Sequence, residues 1–199
     1  MSKRHSSRGF TLLELLIVII ILGFLSVFAA QEYLNITKEA KIAATKGKLA
    51  AIRGGIELAH AKIMASGVNT GPDGDNPDWP TLEEIQFNEL RLETRPESLR
   101  HLRLVRSDQF SNQQDQALPE CSLPDMTPAM SRNPSAVASM SLEDVQNPVR
   151  NGNESTCWAY YPGDERDANG RIFPAVFYIN DDRPIMENQD AAGKRPSQW

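Results

Sequence analysis

An apolar run near the N-terminus constrains this chain more than any other feature. Residues 10–30 read FTLLELLIVIIILGFLSVFAA, with a single ionisable side chain, Glu14. As a helix, about 21 residues would extend roughly 31 Å, close to the thickness of the hydrocarbon core of a bilayer. Lys3, Arg4 and Arg8 precede the run, and basic flanks stay on the cytoplasmic side. We therefore predict one membrane span at residues 10–30, with the rest of the chain on the far side.

A secretory signal peptide and an uncleaved anchor are the two ordinary interpretations of this run. A signal peptide would be cut near Ala29, but its apolar core is usually only about 7–15 residues long. Neither interpretation accounts for Glu14, because a charge costs about 2.5–3.5 kcal/mol at the centre of a spanning helix and less near its end. No Lys or Arg lies within one helical turn of Glu14. Its partner is therefore expected on another molecule, or as a charge created by cleavage.

The residues that lead up to Glu14 resemble a known processing site. From Arg8 the chain reads RGFTLLE, which is similar to the cleavage site of type IV prepilins and type II secretion pseudopilins. The resemblance implies that a prepilin peptidase cuts between Gly9 and Phe10 and methylates the new amino group of Phe10. It also implies that Glu14, the fifth residue of the processed chain, is the assembly glutamate.

Elementary electrostatics supports this assignment independently. Glu14 lies about 6 Å along a helix axis from Phe10, so a neighbouring subunit displaced by that rise would bring its own N-terminal amine level with Glu14. Because hydrocarbon screens charge poorly, such a pair would favour one axial stagger over others. We interpret the pair as setting register rather than adding net stability.

The resemblance also implies the surroundings of the chain. It predicts a single-pass protein of the inner membrane with its head in the periplasm, later assembled into a pilus or pseudopilus. The partners it implies are other pilin-like subunits, in a homo- or hetero-polymer, the prepilin peptidase and the inner-membrane assembly platform. The net charge of −5 and the pI near 5.3 argue against a nucleic-acid partner.

Helical periodicity continues beyond the predicted span. Leu49, Ile52, Ile56, Ala59 and Ile63 recur at spacings of three and four, which marks one apolar stripe. No proline interrupts the chain before the turn-rich sequence at residues 67–78, and Gly54-Gly55 is the expected place for a bend or a close approach. We predict a leader at 1–9, a span and filament core at 10–30, an amphipathic extension at 31–66 and an extracytoplasmic head at 67–199.

The head is predicted to carry short helices and a small antiparallel sheet, which makes the fold class α+β. Thr81 and Glu84 form a capping-box pattern that predicts a helix through about Leu90. The segments 157–161 and 171–179 read as strands separated by the turn signal Asn169-Gly170. Residues 101–106 are a weaker strand candidate, residues 111–150 read as loop with a helical turn at 142–145, and the tail from 184 is polar.

The remaining chemistry-bearing residues are few. Cys121 and Cys157 do not fit a CxxC motif or a zinc site, and in an extracytoplasmic domain a disulfide is the better interpretation. His5, His60 and His101 lie apart, and no catalytic motif is present. The acidic loop of Asp73, Asp75, Asn76 and Asp78 and the run Asn180, Asp181 and Asp182 are the only calcium candidates. We predict no cofactor, and calcium at Asn180–Asp182 remains the alternative.

These observations predict a structural filament subunit rather than an enzyme. The setting of Pro80-Thr81 and of Trp158 is similar to pseudopilin heads, which favours a pseudopilin of a type II secretion-like system. A major or minor pilin of a type IV pilus is the alternative within the family. A membrane-tethered extracytoplasmic binding domain is the alternative from another class.

Overall fold

A computed structural model of the chain describes residues 10–68, 70, 74–75, 77–106, 118–124, 126–146, 155–166 and 169–181. The predicted leader, with Gly9, and the polar tail lie outside these described residues. The chain divides into two compact units, Met1–Ala40 and Lys41–Trp199. Helix α1 runs through Leu12–Ser66, so the long N-terminal helix that the sequence predicted is confirmed.

Helix α1 is terminated by a glycine. Gly67 has a φ of 67°, and its N–H donates to the carbonyl oxygen of Met64 at 3.2 Å. This left-handed conformation favours glycine and satisfies one of the carbonyls that a helix end leaves free. The turn-rich sequence therefore stops the helix where the pattern predicted.

Within the second unit, α1 buries the predicted stripe. Leu49, Ile52, Ile56, Ala59 and Ile63 are all nearly inaccessible, and Thr45 extends the buried side by one turn. They share one core cluster with Trp158, Tyr160, Phe177 and Ile179 of the sheet described below. The distal part of the helix thus packs on the head, as predicted.

Gly55 is a site of close approach rather than a bend. The helix continues through this residue without interruption. A Cβ atom built on Gly55 would lie 2.8 Å from the carbonyl carbon of Leu104 and closer still to its oxygen, whereas one on Gly54 would meet nothing within 4 Å. Only glycine lets the segment at Leu104 pass so near the helix.

The sheet is mixed, which corrects the predicted antiparallel sheet. Strands β1 (Val137–Ser139), β2 (Trp158–Tyr161) and β3 (Val176–Ile179) lie in that order. β2 and β3 are antiparallel, as predicted, but β1 pairs with β2 in parallel. β1 comes from a region that was predicted to be loop. Its connection to β2 includes a short helix, and such a crossover allows the two strands to run parallel.

Three short helices accompany the sheet. They are α2 (Leu82–Gln86), α3 (Pro128–Arg132) and α4 (Leu142–Gln146). The capping box of Thr81 and Glu84 is present, and the predicted turn at 142–145 is α4. The sequence did not predict α3 or β1. α2 ends earlier than predicted because Asn88 adopts a φ of 54°, outside the helical region.

Two predicted strands are shorter than expected. The 101–106 segment forms only an isolated bridge, Glu89 with Arg103, and His101 has a φ of 66°, which is incompatible with a strand. The last strand begins at Val176 rather than 171, because Pro174 cannot donate to the ladder. All four residues of β2 are buried, since α1 covers one face of the sheet and α4 with its neighbours covers the other.

Candidate functional site

The candidate assembly site lies at the start of α1. Phe10 precedes the helix and is 82% exposed. The Thr11 N–H and the Thr11 hydroxyl donate to Oε2 of Glu14 at 2.8 Å and 2.9 Å. The Glu14 N–H donates back to the Thr11 hydroxyl oxygen at 3.2 Å. These reciprocal bonds form a capping box, so Glu14 helps to start its own helix.

Thr11 belongs to this candidate site and was not among the residues predicted from the sequence. Its signal was available, because Thr11 and Glu14 are spaced as threonine and glutamate are in a capping box ahead of an apolar run. Both bonds from Thr11 reach Oε2, and no donor reaches Oε1 within the described residues. No cation of the described chain contacts Glu14 either. One carboxylate oxygen is therefore available to a group outside the described chain.

The surface around Glu14 is apolar on every side. Each large aliphatic or aromatic residue between Leu12 and Phe28 is between 44% and 88% exposed. α1 is the one helix of the described chain that is long and apolar enough to cross a membrane. Contact of so much apolar surface with water is unfavourable. We therefore expect lipid or other helices to cover it.

The two cysteines are brought together in the head. Cys121 and Cys157 are bonded, with their Cα atoms 6.2 Å apart, a separation usual for disulfides. The bond joins the segment at 118–124 to the residue that precedes β2. Both cysteines are buried, so the bond is shielded from solvent.

Helix α1 holds the same segment from its other side. Lys48 Nζ donates to the carbonyl oxygen of Glu120 at 2.7 Å, and the Ser122 N–H donates to the hydroxyl of Thr45 at 3.2 Å. Burial lowers the pKa of Lys48, and the charge of Glu120 opposes that shift. Disulfide and helix thus hold the 118–124 segment between them.

A buried ion pair organises the loop around α2. Glu84 and Arg95 have fully buried side chains, and Arg95 Nη2 lies 2.9 Å from Glu84 Oε2. Glu84 also accepts from the backbone N–H groups of Thr81, Arg91 and Leu92. Arg95 donates further to the carbonyl oxygens of Pro77 and Trp79. The capping pattern pointed to Glu84, but no local signal marked Arg95, which is eleven residues away.

The two histidines of the described residues contact different neighbours. His60 stacks on Trp79 with ring centroids 3.8 Å apart, and His101 Nδ1 lies 2.6 Å from Glu89. Among the described residues no group of three or more His, Cys, Asp or Glu could hold a metal ion. Asp73, Asn76 and Asp182 of the calcium candidates, like His5, lie outside the described residues.

Comparison with known proteins bears on the N-terminus alone. Residues 4–30 match the family model for the prokaryotic N-terminal methylation motif, the signature of type IV pilins and pseudopilins. The match spans residues 4–30 of the 199-residue chain and leaves the head outside it. No curated protein and no solved structure matches the chain significantly.

Proposed function

We propose that this chain, which carries the N-terminal methylation motif of type IV pilins and pseudopilins, is a structural subunit of a pilus-like filament and not an enzyme. In this proposal the prepilin peptidase removes residues 1–9 behind Gly9 and methylates Phe10. The subunit waits as a single-pass protein of the inner membrane with its head in the periplasm. The assembly platform then draws it into a polymer of like subunits.

The main support for the proposal is the position and hydrogen bonding of Glu14. Glu14 stands at the first turn of an exposed apolar helix, with Oε2 bound by Thr11 and Oε1 without a donor among the described residues. In hydrocarbon an available carboxylate oxygen is costly, and pairing with the cationic amine of a neighbouring Phe10 would remove that cost. The processing step creates that amine, so cleavage and assembly are linked through one ion pair.

The test compares Glu14 with a second acidic residue of the same helix. We expect Glu14→Gln to insert in the membrane and to be processed, yet to be absent from filaments, because the uncharged amide cannot form the ion pair. Glu14→Leu should insert at least as well and fail in the same way. Glu32→Gln removes the same charge about five turns later, beyond the apolar run, and should assemble normally.

Three measurements read out this test on full-length protein in its native membrane. Intact mass and N-terminal sequencing report processing, carbonate extraction reports insertion, and sheared surface or periplasmic polymers report assembly. A chain that begins at N-methylated Phe10 supports the proposal. A chain that keeps Met1, or normal assembly of Glu14→Leu, contradicts it and favours the membrane-tethered binding domain.

Within this function we propose a pseudopilin of a type II secretion-like system. The support is the resemblance of the head around Pro80-Thr81 and Trp158 to pseudopilin heads. Deletion of the gene should then block export of a secreted protein and leave surface pili unchanged. Loss of visible surface filaments with normal export would instead identify a pilus subunit.

A further inference from the structure

A preformed cleft lies at the outer edge of β1. Its volume is about 270 Å³, and it is lined by Trp79, Pro80, Leu82, Ser139, Pro162 and Asp164. Flat aromatic and proline surfaces therefore form its walls. Asp164 is the only ionisable side chain in that lining.

Buried groups hold one wall of the cleft in place. Arg95 donates to the carbonyl oxygens of Pro77 and Trp79, and the hydroxyl of Tyr160 donates to that of Pro80 at 2.6 Å. The ring of Trp79 stacks on His60 with an interplanar angle of 5°. The wall is thus fixed before any ligand arrives, which lowers the entropic cost of binding.

The strand beside the cleft has an unused edge. The Trp158 N–H donates to Ala136 and the Met140 N–H to Tyr160, so alternate residues of β1 face β2. The backbone groups of Val137 and Ser139 therefore point away from the sheet. The Gln86 side chain donates to the Val137 carbonyl oxygen at 3.4 Å. Within the described chain no partner binds the outward N–H and C=O of Ser139.

The charge of Asp164 indicates which class of ligand the cleft would bind. Asp164 is exposed, and none of the described cations forms a salt bridge with it. An outward backbone donor and acceptor, apolar walls and one carboxylate together suit an extended peptide that carries a Lys or Arg side chain. Pairing of β1 with β1 of a second copy would bring two Asp164 carboxylates to the same edge, and like charges that meet there are unfavourable.

We propose that this cleft binds an extended, basic segment of a different polypeptide, which adds to β1 at Ser139 and places a Lys or Arg side chain against Asp164. The segment would lie along the edge of β1, with main-chain bonds to Ser139 and an apolar side chain against Trp79 and Pro80. This role is separate from filament assembly and does not depend on Glu14.

Binding is tested with defined peptides on the full-length chain in neutral detergent micelles, with empty micelles as the blank. The probes are a fluorescent peptide of alternating valine and lysine, its glutamate counterpart, and the lysine peptide with alternate amides N-methylated. We expect saturable binding of the lysine peptide alone. The N-methylated peptide should bind more weakly, because it lacks main-chain donors.

Two variants and one control locate the site. Asp164→Lys should weaken binding of the lysine peptide about fivefold and favour the glutamate peptide, as expected for one exposed charge pair. Glu143→Lys makes the same change of charge on α4, outside the cleft lining, and should leave binding unchanged. Ser139→Pro removes the outward N–H, which the β1–β2 ladder does not use, and should weaken main-chain pairing.

Several results would overturn the inference. They are no saturable binding, equal affinity for the lysine and glutamate peptides, and equal effects of Asp164→Lys and Glu143→Lys. Crosslinking of Ser139→Cys between two copies that excludes the peptide would assign the cleft to a second subunit instead. Assembly of Asp164→Lys into filaments should stay normal, so failure of this proposal is distinguishable from failure of the filament function.

Discussion

Replacement of Arg95 by methionine should destabilise the head more than any exposed charge change. Glu84 and Arg95 are both inaccessible to solvent, and their charged atoms are 2.9 Å apart. Without the guanidinium, the Glu84 carboxylate stays buried with only backbone donors, and the carbonyl oxygens of Pro77 and Trp79 lose a donor. Removing one partner of a buried pair costs about 3–5 kcal/mol.

That cost corresponds to a decrease in melting temperature of roughly 6–20 °C for a domain of this size. The unfolding of full-length protein in micelles can be followed by fluorescence of Trp79 and Trp158, which are both in the head. Arg91→Met is the matched control, because its pair with Glu83 is exposed and 3.8 Å long, and it should cost less than about 1 kcal/mol. The double variant Glu84→Gln with Arg95→Met removes both charges of this buried pair and should be more stable than Arg95→Met alone. Equal losses for Arg95→Met and Arg91→Met would refute the reasoning.

Three further predictions concern the packing of the head, and thermal unfolding measures each. Gly55→Ala should destabilise by about 1–3 kcal/mol, since its Cβ would overlap the backbone of Leu104, whereas Gly54→Ala should stabilise by about 1 kcal/mol. Cys121→Ser opens a loop of 36 residues and should cost about 4 kcal/mol; an unchanged melting temperature would contradict this. Burial and a nearby carboxylate raise the pKa of Tyr178 to about 12. The contribution of the neutral Tyr178 hydroxyl to the free energy of unfolding is therefore complete below about pH 10, and it is lost as the pH rises towards 12. Tyr178→Phe should remove that part of the alkaline loss of stability, and an unchanged pH profile would refute the assignment.

Local signals in this chain were accurate where they rest on short-range chemistry. The capping box at Thr81, the end of α1 at Gly67 and the stripe from Leu49 to Ile63 all appear in the structure. Each depends on residues within a few positions of one another, so neighbouring side chains and backbone groups decide it. The same holds for the helix start at Thr11. The capping-box spacing of Thr11 and Glu14 is present in the sequence, although this cap was not predicted.

The pairing of strands that are distant in the sequence could not be predicted in the same way. The three residues of β1 have no strong strand pattern, and they form a strand only because β2 offers them an edge. His101 looked extended in sequence, but its segment passes α1 at Gly55 and turns with a positive φ. Such outcomes depend on tertiary contacts that override local propensity.

The N-terminal helix and its candidate assembly site could be predicted from the amino-acid sequence alone. An apolar run, one carboxylate and a basic leader are read in order along the chain, and a helix in lipid satisfies its own backbone, so no distant residue is needed to form it. The tertiary structure alone decided the partner of Glu84, the mixed sheet and the cleft beside Ser139. Each joins residues distant in sequence, because burial of polar groups and strand edges is settled only when the whole head has packed.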